Sequence, residues 1–141
     1  MDHVMNQVWG WRGRVGLIMP TTQTVTEPLF YATAPEGLSF HTARFVVEGS
    51  GPDSIARTDT QVPEAVDKLA KAKVDCIAYL CVVGGLARGL EKERQFCQEI
   101  ENSTGIPVVS ALLSVFEALN LFKISKLVIT GPYAEAANKL E

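Results

Sequence analysis

Short apolar runs that alternate with helical segments constrain the fold of this chain more than any other feature of its sequence. Residues 14–19 (RVGLIM) form such a run and are stopped by Pro20, as is typical of a strand buried on both faces of a parallel sheet. Five strands are predicted, at residues 14–19, 39–47, 74–80, 106–109 and 126–130. Amphipathic helices are predicted at residues 59–72, 88–103 and 111–121, and a shorter helix capped by a hydroxyl is predicted from Thr26.

The order of these elements predicts the fold class. Strands that alternate with helices form a parallel α/β sheet, and right-handed crossovers leave few topologies. We expect a flavodoxin-like, doubly wound sheet with strand order 2-1-3-4-5. It would form one domain at residues 14–141, after an irregular lead-in at residues 1–13. Such sheets bind ligands where the winding direction reverses, which here brings the loops after strands one and three together.

Charge and cysteine content exclude several classes of partner. The 16 acidic and 13 basic residues give a net charge of -3, so we expect no nucleic-acid partner. No apolar run is long enough for a membrane span, and we expect no membrane partner. Arg12 and Arg14 interrupt the N-terminal region before a signal-peptide core could form, so we expect a cytoplasmic protein. Three irregularly spaced cysteines indicate free thiols. No metal site is expected, because Cys76 and Cys81 lack a second close pair and the only histidines are His3 and His41.

The loop after strand one is a candidate anion site. It is rich in hydroxyl and amide groups, including Thr22 and Gln23, and it leads into a predicted helix N-terminus. The loop lacks the glycines that let a backbone cradle a phosphate, so a carboxylate fits it better. The alternative interpretation is a threonine-rich turn that only caps the helix.

Cys81 follows strand three at the same edge of the sheet. Residues 81–85 are predicted as an exit loop whose glycines turn backbone N–H groups inward, and Arg88 lies near the start of the next helix. Positive potential there would favour the thiolate, the form required of a nucleophilic cysteine. The alternative is an inert buried cysteine, as we expect for Cys76 and Cys97.

Three further polar side chains lie at strands or strand ends. Tyr133 follows strand five and could bind a carboxylate or an oxyanion through its hydroxyl. His41 and Arg44 lie on opposite faces of strand two because their separation is odd. His41 is interpreted as a structural histidine and Arg44 as part of a salt bridge.

Several of these segments, taken in order, resemble a known family. They are residues 15–28 (VGLIMPTTQTVTEP), residues 39–44 (SFHTAR), Cys81 followed by Gly84, and Pro132 with Tyr133. Together they resemble the maleate cis-trans isomerase branch of the aspartate/glutamate racemase superfamily, to which arylmalonate decarboxylase is related. The resemblance covers nearly the whole chain from strand one onward, and its most specific part is the first loop with its Glu-Pro ending.

The resemblance implies a cofactor-independent enzyme that acts on a small dicarboxylic or amino acid. Such enzymes have two similar α/β halves that close over the substrate, each contributing a cysteine, and this chain resembles the N-terminal half with Cys81 as its catalytic cysteine. In an isomerase the thiolate would add to the double bond of maleate, and in a racemase it would move an α-proton. The substrate contacts implied are side chains of Thr22, Gln23 and Tyr133 and backbone amides of Val82 and Gly84.

Several alternatives remain open at the level of sequence. The chain carries one half of the family fold, so it could be a fragment, a homo-oligomer that builds a cleft from two copies, or a domain without catalysis that binds a partner. A homo-oligomer is our expectation. An arylmalonate-type decarboxylase is a second reaction class. A flavodoxin-like module that binds a small anion or flavin phosphate through the threonine-rich loop is the alternative from outside the family.

Overall fold

A computed structural model describes residues 9–47, 57–128 and 130 of the chain. These residues form a four-stranded sheet in the order β2-β1-β3-β4, and every pair of neighbours is parallel. The strands are β1 (Gly13–Pro20), β2 (Leu38–Phe45), β3 (Cys76–Tyr79) and β4 (Val108–Ser110). The helices are α1 (Thr26–Thr33), α2 (Val62–Lys71), α3 (Val82–Arg88), α4 (Leu90–Thr104) and α5 (Ala111–Leu121).

The central position of β1 confirms the interpretation of its apolar run. Leu17, Ile18 and Met19 are all completely buried, although successive side chains of a strand point to opposite faces. β1 pairs along its full length with β2 and also pairs with β3. A strand with a neighbour on each side and buried side chains on both faces is the core of a doubly wound sheet.

The amphipathic helix α2 covers one face of the sheet. Its buried residues are Val62, Ala65, Val66 and Leu69, at helical spacing, and they pack with Ile18, Phe45, Ile77 and Tyr79 of the strands. Ile100 of α4 joins the same cluster. α4 ends where predicted, because Gly105 adopts the left-handed conformation that terminates helices.

Three predictions differ from the structure or fall outside it. Residues 82–88, predicted to begin as a loop, form the helix α3, whose glycines are buried. The predicted fifth strand is not seen, since residues 126–128 and Thr130 are irregular and residue 129 is not among those described. Residues 1–8 of the predicted lead-in and residues 131–141, which include Tyr133, also lie outside the described part of the chain.

The topology places the candidate site. From β1 the chain moves outward to β2 and then returns past β1 to β3, so the winding direction reverses between β1 and β3. With right-handed crossovers, α1 and α2 lie on opposite faces of the sheet. The crevice at this reversal lies beyond the carboxyl ends of β1 and β3. Because β1 and β3 are neighbours, the prediction that the segments after these two strands lie side by side is confirmed.

Three expectations, on membrane spans, metal ligands and thiols, can be compared with the described residues. Within them, no helix combines the length and the apolar character needed to cross a bilayer. The same residues contain no group of three or more metal-ligating side chains. The three cysteines are free thiols.

Candidate active site

Cys81 lies directly beyond the carboxyl end of β3. The backbone N–H of Leu80 donates to the carbonyl of Ile18 at 2.8 Å, which holds the end of β3 beside β1. Cys81 then serves as the N-cap residue of α3, and its side chain is half-buried. The thiol therefore sits at the reversal point, next to the loop that follows β1.

Two polar groups near the sulfur of Cys81 lower the pKa of its thiol. One is the backbone N–H of Gly84 in the first turn of α3, and the other is the hydroxyl of Tyr79 from β3. A Cβ atom on Gly84 would lie 3.2 Å from the Cys81 Sγ and 2.9 Å from the Tyr79 Oη. Glycine is thus the residue that leaves room for the thiol and the phenol to approach the same backbone.

The acidity of Cys81 differs from the sequence expectation. Burial raises the pKa of the Cys81 thiol above its usual value. The Gly84 N–H, the Tyr79 hydroxyl and the charge of Arg88 act in the opposite direction, whereas Glu93 raises the pKa further. Arg88 has the predicted sign of effect, but desolvation outweighs it in this chain.

Arg88 ends α3 instead of starting the next helix, and it is the centre of a buried network. Its guanidinium donates two hydrogen bonds to Asp59, at 3.1 and 2.6 Å, and one to the hydroxyl of Tyr79 at 2.9 Å. It also pairs with Glu93 and lies over the ring of Phe96, 4.0 Å from the centroid. Burial alone would lower the pKa of Arg88, but the bonds to Asp59 and the nearby groups raise it, so the charge is permanent.

Glu93 extends this network to β4. Its carboxylate accepts from Arg88 and, at 2.5 Å, from the hydroxyl of Ser110, and both Glu93 and Ser110 are almost fully buried. Hydrogen bonds of this network thus connect α3, α4 and the end of β4 to Tyr79, the last residue of β3. Buried ion pairs of this kind hold a unique arrangement because no partner can leave without exposing an unpaired charge.

Sequence reasoning missed Tyr79, Asp59 and Glu93. For Tyr79 a signal existed, because a residue two positions before Cys81 on a strand shares the direction of its side chain. Asp59 and Glu93 come close to Arg88 only through folding, since neither is adjacent to it in the sequence.

The loop after β1 is held by its own hydrogen bonds. The side-chain amide of Gln23 donates to the hydroxyl of Thr26, and the Gln23 backbone N–H donates to the carbonyl of Pro20 at 3.1 Å. Thr22 is exposed in the turn. The predicted hydroxyl cap of α1 is wrong, since Val25 is the N-cap residue and makes no side-chain capping bond.

Arg44 reaches this loop from β2. It donates to the carbonyls of Pro20 and Gln23, at 3.0 and 2.6 Å, and forms a salt bridge with Glu27. The hydroxyl of Thr42 also donates to Glu27, at 2.5 Å. The predicted salt bridge of Arg44 is confirmed, and its additional bonds show that Arg44 fixes the shape of the loop.

The remaining candidate residues are placed as follows. His41 shares a hydrogen bond of 3.0 Å with Ser39, in keeping with a structural histidine. Val82 is the first residue of α3, half-buried beside Cys81. Cys76 lies within β3 and Cys97 on α4, and burial raises the pKa of both thiols.

The known proteins to which this chain is similar include maleate isomerases and arylmalonate decarboxylase. The sequence matches no protein-family model. Maleate isomerase of Pseudomonas putida is 27% identical over 139 residues, covering 90% of this chain and 56% of that protein. A mutant of Nocardia farcinica maleate cis-trans isomerase with a covalently bound succinylcysteine intermediate has a TM-score of 0.81 at 22% identity, covering 91% of this chain and 56% of that one.

Arylmalonate decarboxylase has the same fold. A mutant of it in the liganded form has a TM-score of 0.79 at 16% identity, covering 91% of this chain and 54% of that one. The chain thus spans about half the length of each protein that it matches. By sequence and by fold, the chain is similar to the maleate isomerases over about half of their length.

Proposed function

We propose that this chain is the half that bears the nucleophilic cysteine in a cofactor-independent isomerase that acts on a small dicarboxylate such as maleate. The observation that carries the proposal is the position of Cys81, which lies at the reversal point of the sheet as the N-cap residue of α3, with its sulfur close to Gly84. Homology to maleate isomerases supports the substrate class, and the succinylcysteine intermediate of the Nocardia farcinica enzyme supports a thiol addition.

The reaction begins with addition of the thiolate to the double bond. A bond forms between the Cys81 sulfur and one alkene carbon, and the π electron pair moves to the other carbon, where the adjacent carboxylate holds it as an enediolate. A proton taken up at that carbon gives a succinyl thioether. The resemblance to two-half enzymes with one cysteine in each half implies that a cysteine of the opposing half supplies this proton.

Rotation and elimination complete the isomerisation. The former double bond is now single, so its two carboxylates can rotate apart. Loss of the same proton restores the π bond as the carbon–sulfur bond breaks, releasing the trans product and the thiolate. Atoms and electrons balance without an external oxidant or reductant, which is why no cofactor is invoked.

Carboxylate binding falls to the groups beside the thiol. Thr22 and Gln23 of the loop after β1 lie at the same edge of the sheet as Cys81, and the first backbone amides of α3 begin at Val82. Arg44 keeps the loop in place through the carbonyls of Pro20 and Gln23. We include Tyr133 as a further carboxylate contact, on the resemblance alone.

The proposed cleft needs a second half over Cys81. We propose that a second copy of this chain supplies it, and that the protein works in the cytoplasm, where its thiols stay reduced. Exposed apolar side chains along β4 and α5, among them Val109, Val115 and Leu121, support an association of this kind. Light scattering during gel filtration tests it, and the mass of a single chain at every concentration contradicts it.

The central experiment follows maleate with the full chain. We expect proton NMR to show conversion of maleate to fumarate, and peptide mass spectrometry of the quenched reaction to show a succinyl adduct on Cys81. Cys81→Ser should lower the rate on the order of a thousandfold or more, since it removes the nucleophile. Cys76→Ser is the matched control, because Cys76 lies at the start of β3, at the opposite end of the strand from Cys81, and it should retain the rate.

Three outcomes would contradict the proposal. Absence of both fumarate and adduct would leave a domain without isomerase activity. An adduct on Cys76 or Cys97 instead of Cys81 would misplace the nucleophile. Release of carbon dioxide from an arylmalonate, or racemisation of aspartate, without turnover of maleate would assign the chain to a different reaction of the same superfamily.

A further inference from the structure

Arg44 lies near the end of β2, at the carboxyl edge of the sheet, and its guanidinium has three acceptors. Its Nη1 donates to the backbone carbonyl of Pro20 at 3.0 Å and to that of Gln23 at 2.6 Å. Its Nη2 pairs with the carboxylate of Glu27, in the first turn of α1. One side chain therefore holds both ends of the turn from Pro20 to Gln23 and also the helix that follows it.

Backbone hydrogen bonds close the same turn but leave these two carbonyls to Arg44. The Gln23 N–H donates to the carbonyl of Pro20 at 3.1 Å, and the Thr21 N–H donates to the carbonyl of Phe45 at 2.9 Å. Within the described part of the chain, no other side chain donates to a carbonyl of this turn. Only 28% of the Arg44 side chain is exposed, so water weakens its bonds less than it would on an open surface.

Alternate residues of β2 form the surface on which α1 packs. The ring of Phe40 meets that of Tyr31 edge-on, with 5.0 Å between centroids. The hydroxyl of Thr42 donates to Glu27 at 2.5 Å. Arg44 is the next residue on this face of the strand. The loop after β1 is thus anchored on a strand of the sheet through the same row of side chains that holds α1.

The chemistry of a carboxylate explains why these carbonyls matter. An ionised carboxylate only accepts hydrogen bonds, and so does a backbone carbonyl, so a carbonyl oxygen that faces a carboxylate repels it. Arg44 binds two carbonyl oxygens of the loop and thereby keeps them directed toward β2. Its charge is offset by Glu27, so its effect on a bound anion comes through the shape of the loop.

We propose that Arg44 is a positioning residue for substrate recognition, which holds the loop after β1 in the conformation that binds one carboxylate of the substrate. The inference rests on the function proposed above, which assigns carboxylate contacts to Thr22 and Gln23. A lysine should not replace Arg44, because a guanidinium directs its N–H groups along fixed directions in one plane, whereas an ammonium is a point charge on a flexible stem.

The test compares the full chain with its Arg44→Lys variant in two assays. The maleate concentration that half-protects Cys81 from iodoacetamide, measured by peptide mass spectrometry, reports binding without turnover. Proton NMR of fumarate formation gives KM and kcat. We expect Arg44→Lys to raise the half-protecting concentration and KM by about tenfold, and to change kcat by less than about threefold, because the thiol is untouched.

Two controls separate positioning from a general loss of stability. Without maleate, the alkylation rates of all three cysteines should be the same in Arg44→Lys as in the parent, because the bonds of Arg44 go to the loop and to α1. Lys71→Met is the matched control, since it removes a basic residue whose ion pair with Asp67 is exposed on α2. It should leave the half-protecting concentration and KM unchanged.

Three results would overturn the inference. If Arg44→Lys binds maleate as well as the parent does, a positive charge at residue 44 is sufficient and the fork of the guanidinium has no role. If all three cysteines react faster in the variant, the substitution has loosened the whole fold. If maleate does not protect Cys81 in the parent, the loop binds no carboxylate for Arg44 to position.

The fate of this inference can be distinguished from that of the proposed isomerase. Protection of Cys81 that weakens in Arg44→Lys, in a chain that forms no fumarate, supports the inference and contradicts the isomerase. Fumarate formation with a KM that the substitution does not change has the opposite meaning. If Arg44→Lys folds poorly, Arg44→Gln serves as the second variant. Its neutral amide should raise the half-protecting concentration at least as much, and an unchanged value overturns the inference.

Discussion

Glu93 is a completely buried carboxylate whose surroundings satisfy both of its oxygens. One oxygen accepts from Arg88 and the other from Ser110, and no buried side-chain nitrogen or oxygen among the described residues lacks a partner. Desolvating two charges costs several kcal/mol per ion, which their mutual attraction offsets only while both partners remain. The intact pair therefore adds little to the free energy of unfolding, whereas removal of Glu93 alone should lower that free energy strongly.

We predict that Glu93→Gln lowers the free energy of unfolding by about 3 kcal/mol, since it leaves Arg88 buried with half of its counter-charge. Urea denaturation monitored by circular dichroism measures the change. Lys71→Ala is the matched control, because its pair with Asp67 is exposed and should change stability by about 0.5 kcal/mol or less. Equal losses in the two variants would contradict the prediction.

At the scale of elements, α3 is a helix that forms although its residues have a low intrinsic helix propensity. Two consecutive glycines occupy its middle, and glycine is about 1 kcal/mol less favourable than alanine in a helix. Packing explains them, because a Cβ on Gly85 would lie 2.8 Å from Leu112 Cδ2 and 3.1 Å from the carboxyl carbon of Glu93. From the sequence, the two glycines predict a loop, because the sequence does not show that α4 and α5 approach α3 so closely.

Gly85→Ala should therefore destabilise the protein by about 1–3 kcal/mol, despite its gain in helix propensity. Thermal denaturation measures the effect. Ala87→Gly provides the comparison in the same helix, because residue 87 is exposed and loss of its methyl group there should cost only about 1 kcal/mol. A Gly85→Ala variant as stable as the parent would show that α3 and α5 do not approach as closely as described.

For the molecule as a whole, buried thiols and a buried phenol link stability to alkaline pH. Burial, followed by Glu93 and Glu101, raises the pKa of Cys97 to about 11, and burial also raises the pKa of Cys76, Cys81 and Tyr79. A folded-state pKa above the unfolded value means that the unfolded chain loses its proton first. The stabilising contribution is complete below the unfolded pKa and disappears as pH rises through the folded one.

We accordingly predict that the free energy of unfolding falls between about pH 9 and about pH 11, with Cys97 accounting for about 1–3 kcal/mol of the loss. Urea titrations at a series of pH values test this. Cys97→Ala removes the ionisable group, and its stability curve should be flatter in that range. A parallel fall in both proteins would assign the effect to other groups.

Much of the element pattern is predictable from the sequence, for reasons seen in particular segments. The run at residues 14–19 is apolar throughout because β1 has a neighbour on each side, and α2 shows helical spacing because one face packs on the sheet. The position of Cys81 follows from the same periodicity. The predicted fifth strand has no such support among the described residues, since Leu127 and Val128 are exposed.

The sequence by itself determined the alternation of strands and helices, the winding reversal between β1 and β3, and the place of Cys81 beside it, because these depend on local periodicity and chirality. Only the tertiary structure decided the acidity of that thiol and the partners of Arg88. Asp59, Tyr79 and Glu93 are separated along the chain and act together only after folding has removed water from around them. Desolvation and charge pairing depend on distances in space, which a linear pattern does not encode.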